Sequence, residues 1–195
     1  MITRGILKPK QTLSDIKIAT ALNISKSPVR ESFKRLEQDE LIKIMPQSKT
    51  FILPINQEKI DGACKLREAI ELLLVSEAVE YVTEEDLLIL DSLVDKQQQA
   101  VDRNDKDEYH QYDVAFHHKI AKISKLLDAW NILEKVNIYM NRIRYLSTDR
   151  DSLIGLSIKE HRKIVVAMKE KSKTKAKREM SSHLTRTRKA LKKLF

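Results

Sequence analysis

Proline is confined to the first part of this 195-residue chain. The four prolines are Pro9, Pro28, Pro46 and Pro54, and no proline follows residue 54. Proline lacks an amide hydrogen and clashes with the preceding helical turn, so helix interiors exclude it. Only three glycines occur in the whole chain. We therefore expect a mainly α-helical protein in which a short α+β domain, 1–54, precedes an all-α domain, 55–195.

Six amphipathic segments follow this boundary. Apolar residues recur at helical spacing in each, and cap residues such as Thr83, followed by three acidic residues, mark where helices begin. The predicted helices are Gln57–Tyr81, 83 to about 101, Asp105–Ser124, Asp128–Leu146, Ser152–Lys171 and Lys173–Leu194. Because six such helices can bury one another's apolar stripes, the sequence predicts a six-helix bundle.

Charge and cysteine content narrow the class of protein. The net charge is +9, with 10 Lys and Arg against 5 Asp and Glu in 1–55 and 14 against 3 in 159–195. Such basic segments suit nucleic acid, although a lysine-rich helix face is also ordinary solvated surface. The single cysteine, Cys64, excludes an internal disulfide, and no apolar run approaches the ~20 residues of a membrane span. We expect a cytoplasmic protein without membrane contact.

Two short helices and a hairpin are predicted in 1–54. The first helix is Leu13–Leu22, capped by Ser14, and the second is opened by Ser27 and Pro28 and ends near Glu40. The β-prone runs 41–45 and 50–53 follow, separated by 46–49. This order is typical of a winged helix-turn-helix, whose second helix enters the DNA major groove.

The second helix has a basic outer face. Val29, Phe33 and Leu36 are predicted to face the small core. The candidate DNA contacts are Lys26, Ser27, Arg30, Lys34 and, in the hairpin, Lys49. Any short helix can have a basic side, so these residues alone leave ordinary surface as an alternative.

The segment ISKSPVRESFKRLEQDELI, preceded by GILKPKQTLSDIKIATALN, resembles the winged helix-turn-helix of the GntR transcription regulators over Gly5–Ile52. The resemblance implies DNA contacts from Lys26, Ser27 and Arg30. It also implies that most of the family's first helix, which lies upstream of this point, is missing. Lys10 and Glu40 stand where the family usually has glycine, and Lys49 stands near the glycine at the tip of the wing.

Three histidines and an aspartate are aimed at the interior of the bundle. Asp113 and His117 share one helix face at i and i+4, and His161 and His183 lie within apolar stripes of their helices. Hydrogen-bonded core histidines and metal ligands are both open interpretations. Imidazole and carboxylate ligands suit a divalent ion, zinc first and nickel, manganese or iron as alternatives. His110, one turn before Asp113, is expected at the surface, with a substitute metal ligand as the alternative.

The same residues support a second resemblance. Asp113-Val-Ala-Phe-His117, Glu160-His161-Arg162 and Ser182-His183-Leu184 resemble the FCD effector domain of the FadR-type GntR regulators, as does the segment 66–71. The resemblance implies that the aspartate and the three histidines bind a divalent metal, whose coordination a small carboxylate effector completes. Lys125-Leu126 stands where the family commonly has Gly-Asn.

Two arginines and one ion pair complete the candidates in the helical domain. Arg142 and Arg144 are candidates for pairing with an anionic effector, with ordinary surface arginines as the alternative. Arg67 and Glu71 are interpreted as an i,i+4 ion pair.

These observations predict a transcription regulator rather than an enzyme. It is expected to bind operator DNA as a homodimer, because two-fold proteins read two half-sites. A metal-dependent hydrolase is the main alternative, but no H-E-x-x-H, nucleophile elbow or phosphate loop occurs. A non-specific nucleic-acid-binding protein is the other alternative, and it leaves the interior histidines unexplained.

Overall fold

A computed structural model describes residues 2, 6–45, 49–147 and 151–192. Over these residues the chain is mostly helical. Its elements are β1 (Thr12–Leu13), α1 (Asp15–Leu22), α2 (Lys26–Gln38), β2 (Ile42–Ile44), β3 (Thr50–Ile52), α3 (Gln57–Tyr81), α4 (Glu84–Asp102), α5 (Lys106–Ser124), α6 (Leu127–Ser147), α7 (Asp151–Lys169) and α8 (Lys173–Lys192). The predicted fold class, a small winged helix-turn-helix followed by six helices, is confirmed.

The first domain packs α1 and α2 against a three-stranded antiparallel sheet. The strand order is β1-β3-β2, and Phe51 of β3 pairs with Thr12 on one side and Lys43 on the other. Its buried apolar side chains are Ile2, Ala19, Val29, Phe33, Leu41, Ile42 and Ile52, with Leu36 packed beside them. The sequence did not predict β1, since two residues are too few to show alternation.

The predicted N-cap of α1, Ser14, is confirmed, but the first helical residue of both helices differs from the prediction. Ser14 is the N-cap of α1, so the helix begins at Asp15 rather than Leu13. Ser25, not Ser27, is the N-cap of α2. Pro28 therefore occupies the third position of α2, where a missing amide hydrogen costs little because first-turn amides lack intrahelical acceptors. The strands are shorter than predicted at the ends of 41–45 and 50–53, and 46–48 lie outside the described residues.

The helical domain is built around α3. This helix packs against α5, α6 and α8, while α4 packs against α5 and α7, and α7 against α8. The described helix bounds lie within two residues of those predicted, because cap residues such as Asp105, whose side chain accepts from the amide of Glu108, are visible in the sequence. Among the described residues, no helix is both long and apolar enough to cross a bilayer.

Several non-glycine residues adopt left-handed backbone conformations where helices and turns end. They include Lys10, Glu40 and Lys125, with φ of 65°, 53° and 63°. These are the positions at which the resembled family commonly carries glycine, or Gly-Asn for 125–126. A side chain at such a φ costs about 1–2 kcal/mol, because its Cβ crowds the following carbonyl. These turns therefore adopt the backbone conformation that glycine favours, and the side chains at these positions lower the stability of the fold.

Lys10 offers a test of that strain. Its side chain is exposed, and its amide donates to the carbonyl of Ile52 at 2.8 Å, which holds the turn in place. We expect Lys10→Gly to be more stable than Lys10→Ala by about 1 kcal/mol, because glycine accepts a positive φ and alanine does not. Urea unfolding of the two variants measures the difference. Equal stabilities would contradict a strained turn.

Candidate metal centre and nucleic-acid interface

The structure brings the three predicted histidines together in the bundle core. His117 comes from α5, His161 from α7 and His183 from α8, and each is no more than 3% exposed. One ligand nitrogen from each lies within 4.8 Å of the other two. The Nε2 atoms of His161 and His183 are 3.3 Å apart. Imidazoles from three helices thus converge on one buried point.

Asp113 adds a carboxylate to this point. Its Oδ1 lies 3.7 Å from Nε2 of His161 and 3.9 Å from Nε2 of His117, one turn away on α5. The aspartate is 6% exposed. All four predicted ligands therefore surround the same buried position. We refer to Asp113, His117, His161 and His183 as the His3Asp cluster.

The outward nitrogen of each histidine meets a hydrogen-bond acceptor from another helix. Nδ1 of His161 lies 2.8 Å from Oε1 of Gln97 on α4. The Nε2 of Gln97 donates to the carbonyl of Tyr112, which fixes the orientation of the amide and leaves Oε1 as an acceptor. Nδ1 of His161 therefore carries the hydrogen, and its Nε2 presents a lone pair to the cluster.

Two carboxylates do the same for the other histidines. Nδ1 of His183 lies 2.9 Å from Oε2 of Glu160, and Nδ1 of His117 contacts Glu71. The contact at His183 is a hydrogen bond, whereas the one at His117 lacks that geometry. Because a carboxylate oxygen accepts hydrogen bonds and repels a ring lone pair, the hydrogen of both histidines is assigned to Nδ1, and Nε2 presents a lone pair inward. Acceptors behind ligating histidines are the usual second layer of protein metal sites. Sequence reasoning missed this role for Gln97, Glu71 and Glu160.

Each of the two carboxylates is also paired with an arginine. Arg67 Nε contacts Glu71 within α3, and Arg186 holds Glu160 with its Nε at 2.7 Å and its Nη2 at 2.8 Å. Although burial raises the pKa of the Glu160 carboxyl, hydrogen bonds from His183 and Arg186 lower it to about 2. Burial likewise opposes ionisation of Glu71, yet Arg67 and His117 hold its pKa well below the usual range. Both carboxylates are ionised.

Burial favours the neutral form of two of the three imidazoles. It lowers the pKa of His161 well below the usual value, and the neighbouring His183 and His117 add to that effect. It lowers the pKa of His183 as well, against the hydrogen bond to Glu160. Neutral imidazole is the form that ligates metal ions. The arrangement offers three nitrogen lone pairs and one carboxylate, which is a set of ligands suited to a divalent cation.

Two other expectations in this region have different outcomes. His110 was expected at the surface but is 9% exposed, with its ring 5.5 Å from that of Tyr109. It faces inward because its place on α5, one turn before Asp113, puts it on the buried stripe. Arg142 and Arg144 belong to α6, but their side chains lie outside the described residues.

The candidate DNA contacts lie on the outer face of the winged domain. All of Lys26, Ser27, Arg30 and Lys34 are exposed on α2, and Lys49 is exposed just before β3. Arg30 Nε donates to Oδ2 of Asp15 at 2.7 Å, and this hydrogen bond lowers the pKa of Asp15. The bond runs from α2 to the first turn of α1 and orients the guanidinium, which remains largely exposed.

Both domains of the chain match models of known protein families. A family model described as "Bacterial regulatory proteins, gntR family" matches residues 1–52, and one described as "FCD domain" matches 63–186. The HTH-type transcriptional repressor RspR of Escherichia coli K12 is 27% identical over 183 residues, which cover 94% of this chain and 80% of RspR.

Solved structures show the same fold. E. coli McbR/YncC superposes with a TM-score of 0.85 at 22% identity, covering 99% of this chain and 92% of that one. A putative GntR transcriptional regulator from Rhodococcus sp. RHA1 gives a TM-score of 0.80 at 19% identity, covering 100% and 93%.

The acceptors behind the cluster predict an unusual tautomer. In metal-free protein we expect His161 to carry its hydrogen on Nδ1, because Gln97 accepts there. Long-range ¹H–¹⁵N correlation spectra report which ring nitrogen is protonated. Gln97→Leu, which removes the acceptor and keeps the bulk, is expected to shift His161 toward the Nε2–H form. An Nε2–H tautomer in the unaltered protein would overturn the assignment of the inward lone pair.

Proposed function

Because the chain belongs to the GntR family of bacterial regulatory proteins and carries an FCD domain, we propose that a divalent metal and a small organic acid in its helical domain control its affinity for operator DNA. The chain is a DNA-binding transcription regulator. Its relatives and family models are those of regulators and not of enzymes, which removes the hydrolase alternative. The observation that carries the proposal is the convergence of three imidazole lone pairs on Asp113.

The metal would be held by Asp113, His117, His161 and His183. Without an ion, the inward Nε2 atoms of His161 and His183 would face each other as two acceptors at 3.3 Å, which is unfavourable in a buried site. A divalent cation removes this conflict. Zinc suits this set of ligands, with nickel, manganese and iron as the other candidates, because no thiolate selects among them.

The effector would be a small carboxylate that reaches the metal. Four protein ligands leave two positions open in an octahedral ion, and carboxylate oxygens are suitable ligands for all the candidate metals. Arg142 and Arg144 are proposed to pair with the same anion through bidentate hydrogen bonds. When bound, the metal would supply a positive charge that attracts the effector. The spacing of the surrounding helices would depend on the size of the effector.

The winged domain would read DNA through Lys26, Ser27, Arg30, Lys34 and Lys49. We propose that the winged domain spans 1–54 and that the metal-binding and dimerising domain spans 55–195. One short helix and one wing contact few base pairs, so a homodimer on a two-fold operator in the cytoplasm is the proposed active form. Because the contacts include several cations, affinity would fall steeply with salt.

Removal of the metal tests the helical domain. We expect about one metal ion per chain by elemental analysis, and a chelator is expected to lower the melting temperature because the ion binds only the folded state. His161→Ala combined with His183→Ala should carry no metal and should melt independently of chelator. His118→Ala is the matched control, since His118 is also on α5 but its ring packs against that of Trp130, with 5.0 Å between the ring centroids. Protein that carries no metal would contradict the proposal.

Loss of Arg30 tests the DNA interface. With an operator obtained by selection on random DNA, Arg30→Ala should weaken specific binding by about 10- to 100-fold, because arginine contacts to bases discriminate by ~1–3 kcal/mol. Arg35→Ala removes the same charge from an exposed position of α2 that is not among the candidate contacts. Equal effects of the two substitutions, with no preferred sequence, would instead indicate a non-specific nucleic-acid-binding protein.

A further inference from the structure

Arg67 brings a guanidinium into the buried cluster from α3. Its Nη2 lies 3.3 Å from Nε2 of His117, the nitrogen that faces the other histidines, and its side chain is 3% exposed. Nδ1 of His117 contacts an oxygen of the Glu71 carboxylate, although without the geometry of a hydrogen bond. A ring lone pair this close to a carboxylate oxygen would be repelled, so we assign the ring hydrogen to Nδ1. The Nε2 of His117 is then an acceptor, and Arg67 donates to it.

We propose that Arg67 is an internal competitor for the metal, an inference that rests on the proposed metal site. The same lone pair of His117 cannot accept from a guanidinium and ligate a cation. While the site is free of metal, Arg67 satisfies His117 and supplies positive charge among buried acceptors. Ligation by His117 requires Nη2 of Arg67 to move away, and the Arg67 Nε contact with Glu71 keeps the side chain tethered nearby.

Arg186 provides the contrast that makes this inference specific. It also lies beside the cluster, but it bonds to Glu160 and to Oγ of Ser157 at 2.7 Å, and Glu160 accepts from Nδ1 of His183. Arg186 thus acts from behind its histidine and orients the inward lone pair, whereas Arg67 occupies one. The two arginines have opposite expected effects on metal affinity.

Lysine substitutions separate the two roles. Lysine keeps the positive charge opposite Glu71 or Glu160, but a single ammonium lacks the planar fork that spans two acceptors. In metal-free Arg67→Lys we expect a lower melting temperature and a zinc dissociation constant about tenfold smaller than in the unaltered protein, since a charged hydrogen bond no longer opposes binding. In Arg186→Lys we expect the zinc dissociation constant to rise, because His183 is less well oriented.

The measurement is calorimetric titration of the full-length, metal-stripped chain with zinc, together with thermal melting before zinc is added. Near-ultraviolet circular dichroism checks that each variant is folded. If Arg67→Lys does not fold, Arg67→Gln combined with Glu71→Gln gives the same comparison, because it removes both charges and leaves an amide oxygen facing Nδ1 of His117.

The outcomes separate this inference from the proposed metal site. Tighter zinc binding by Arg67→Lys than by the unaltered protein supports the competition. Equal or weaker binding by Arg67→Lys than by the unaltered protein overturns the role of Arg67 and leaves the metal site in place. Absence of zinc binding in both proteins overturns the metal site, and this inference with it.

Discussion

Burial of charge in the core of the bundle is the constraint on which the helical domain depends. An unpaired ion in such a place costs several kcal/mol, so each one needs a partner. Glu71 has Arg67 and Glu160 has Arg186, and each carboxylate also meets a histidine. These contacts join α3 to α5 and α7 to α8. The rotation of each helix about its axis is thereby restricted to one that brings these groups together.

The same pairs determine what the histidines can do. A buried imidazole with its hydrogen directed inward would be a donor, and three of them would repel a cation. The acceptors from α3, α4 and α7 draw the hydrogens to the outward nitrogens. The inward direction of the three lone pairs therefore depends on Glu71, Gln97 and Glu160. Conversion of any of these acceptors to an apolar residue would leave the histidines in place and change their chemistry.

Two helices connect this cluster to the start of the bundle. Along α8, His183 is followed by Arg188, which donates to Asp61 of α3 at 2.8 Å, and by Leu191, which packs with Ile60 and Cys64. Helix α3 carries Arg67 and Glu71, which contact His117 of the His3Asp cluster, and it begins at Gln57, shortly after β3. The first turns of α3 are thereby held against the last turns of α8.

Features that depend on residues close together along the chain could be predicted from the sequence, whereas contacts between distant residues could not. Caps and proline positions are local, so α3 is predicted at both ends, and the apolar stripes of α5, α7 and α8 identify His117, His161 and His183. The acceptors could not be found this way, since Glu160 serves a histidine on the next helix and Gln97 one 64 residues away. Arg67 and Glu71 were predicted as a pair, but their approach to His117 depends on how α3 packs against α5.

Glu40 combines a strained backbone conformation with a contact between the two domains. Its φ of 53° costs about 1–2 kcal/mol for a residue with a side chain. Its carboxylate pairs with Lys59 in the first turns of α3, but both side chains are about half exposed, and such pairs contribute only about 0.2–1 kcal/mol. The pair is therefore too weak to offset more than the lower end of this cost. The pair also joins the turn after α2 to α3, the helix that carries Arg67. The winged domain is thus in direct contact with α3.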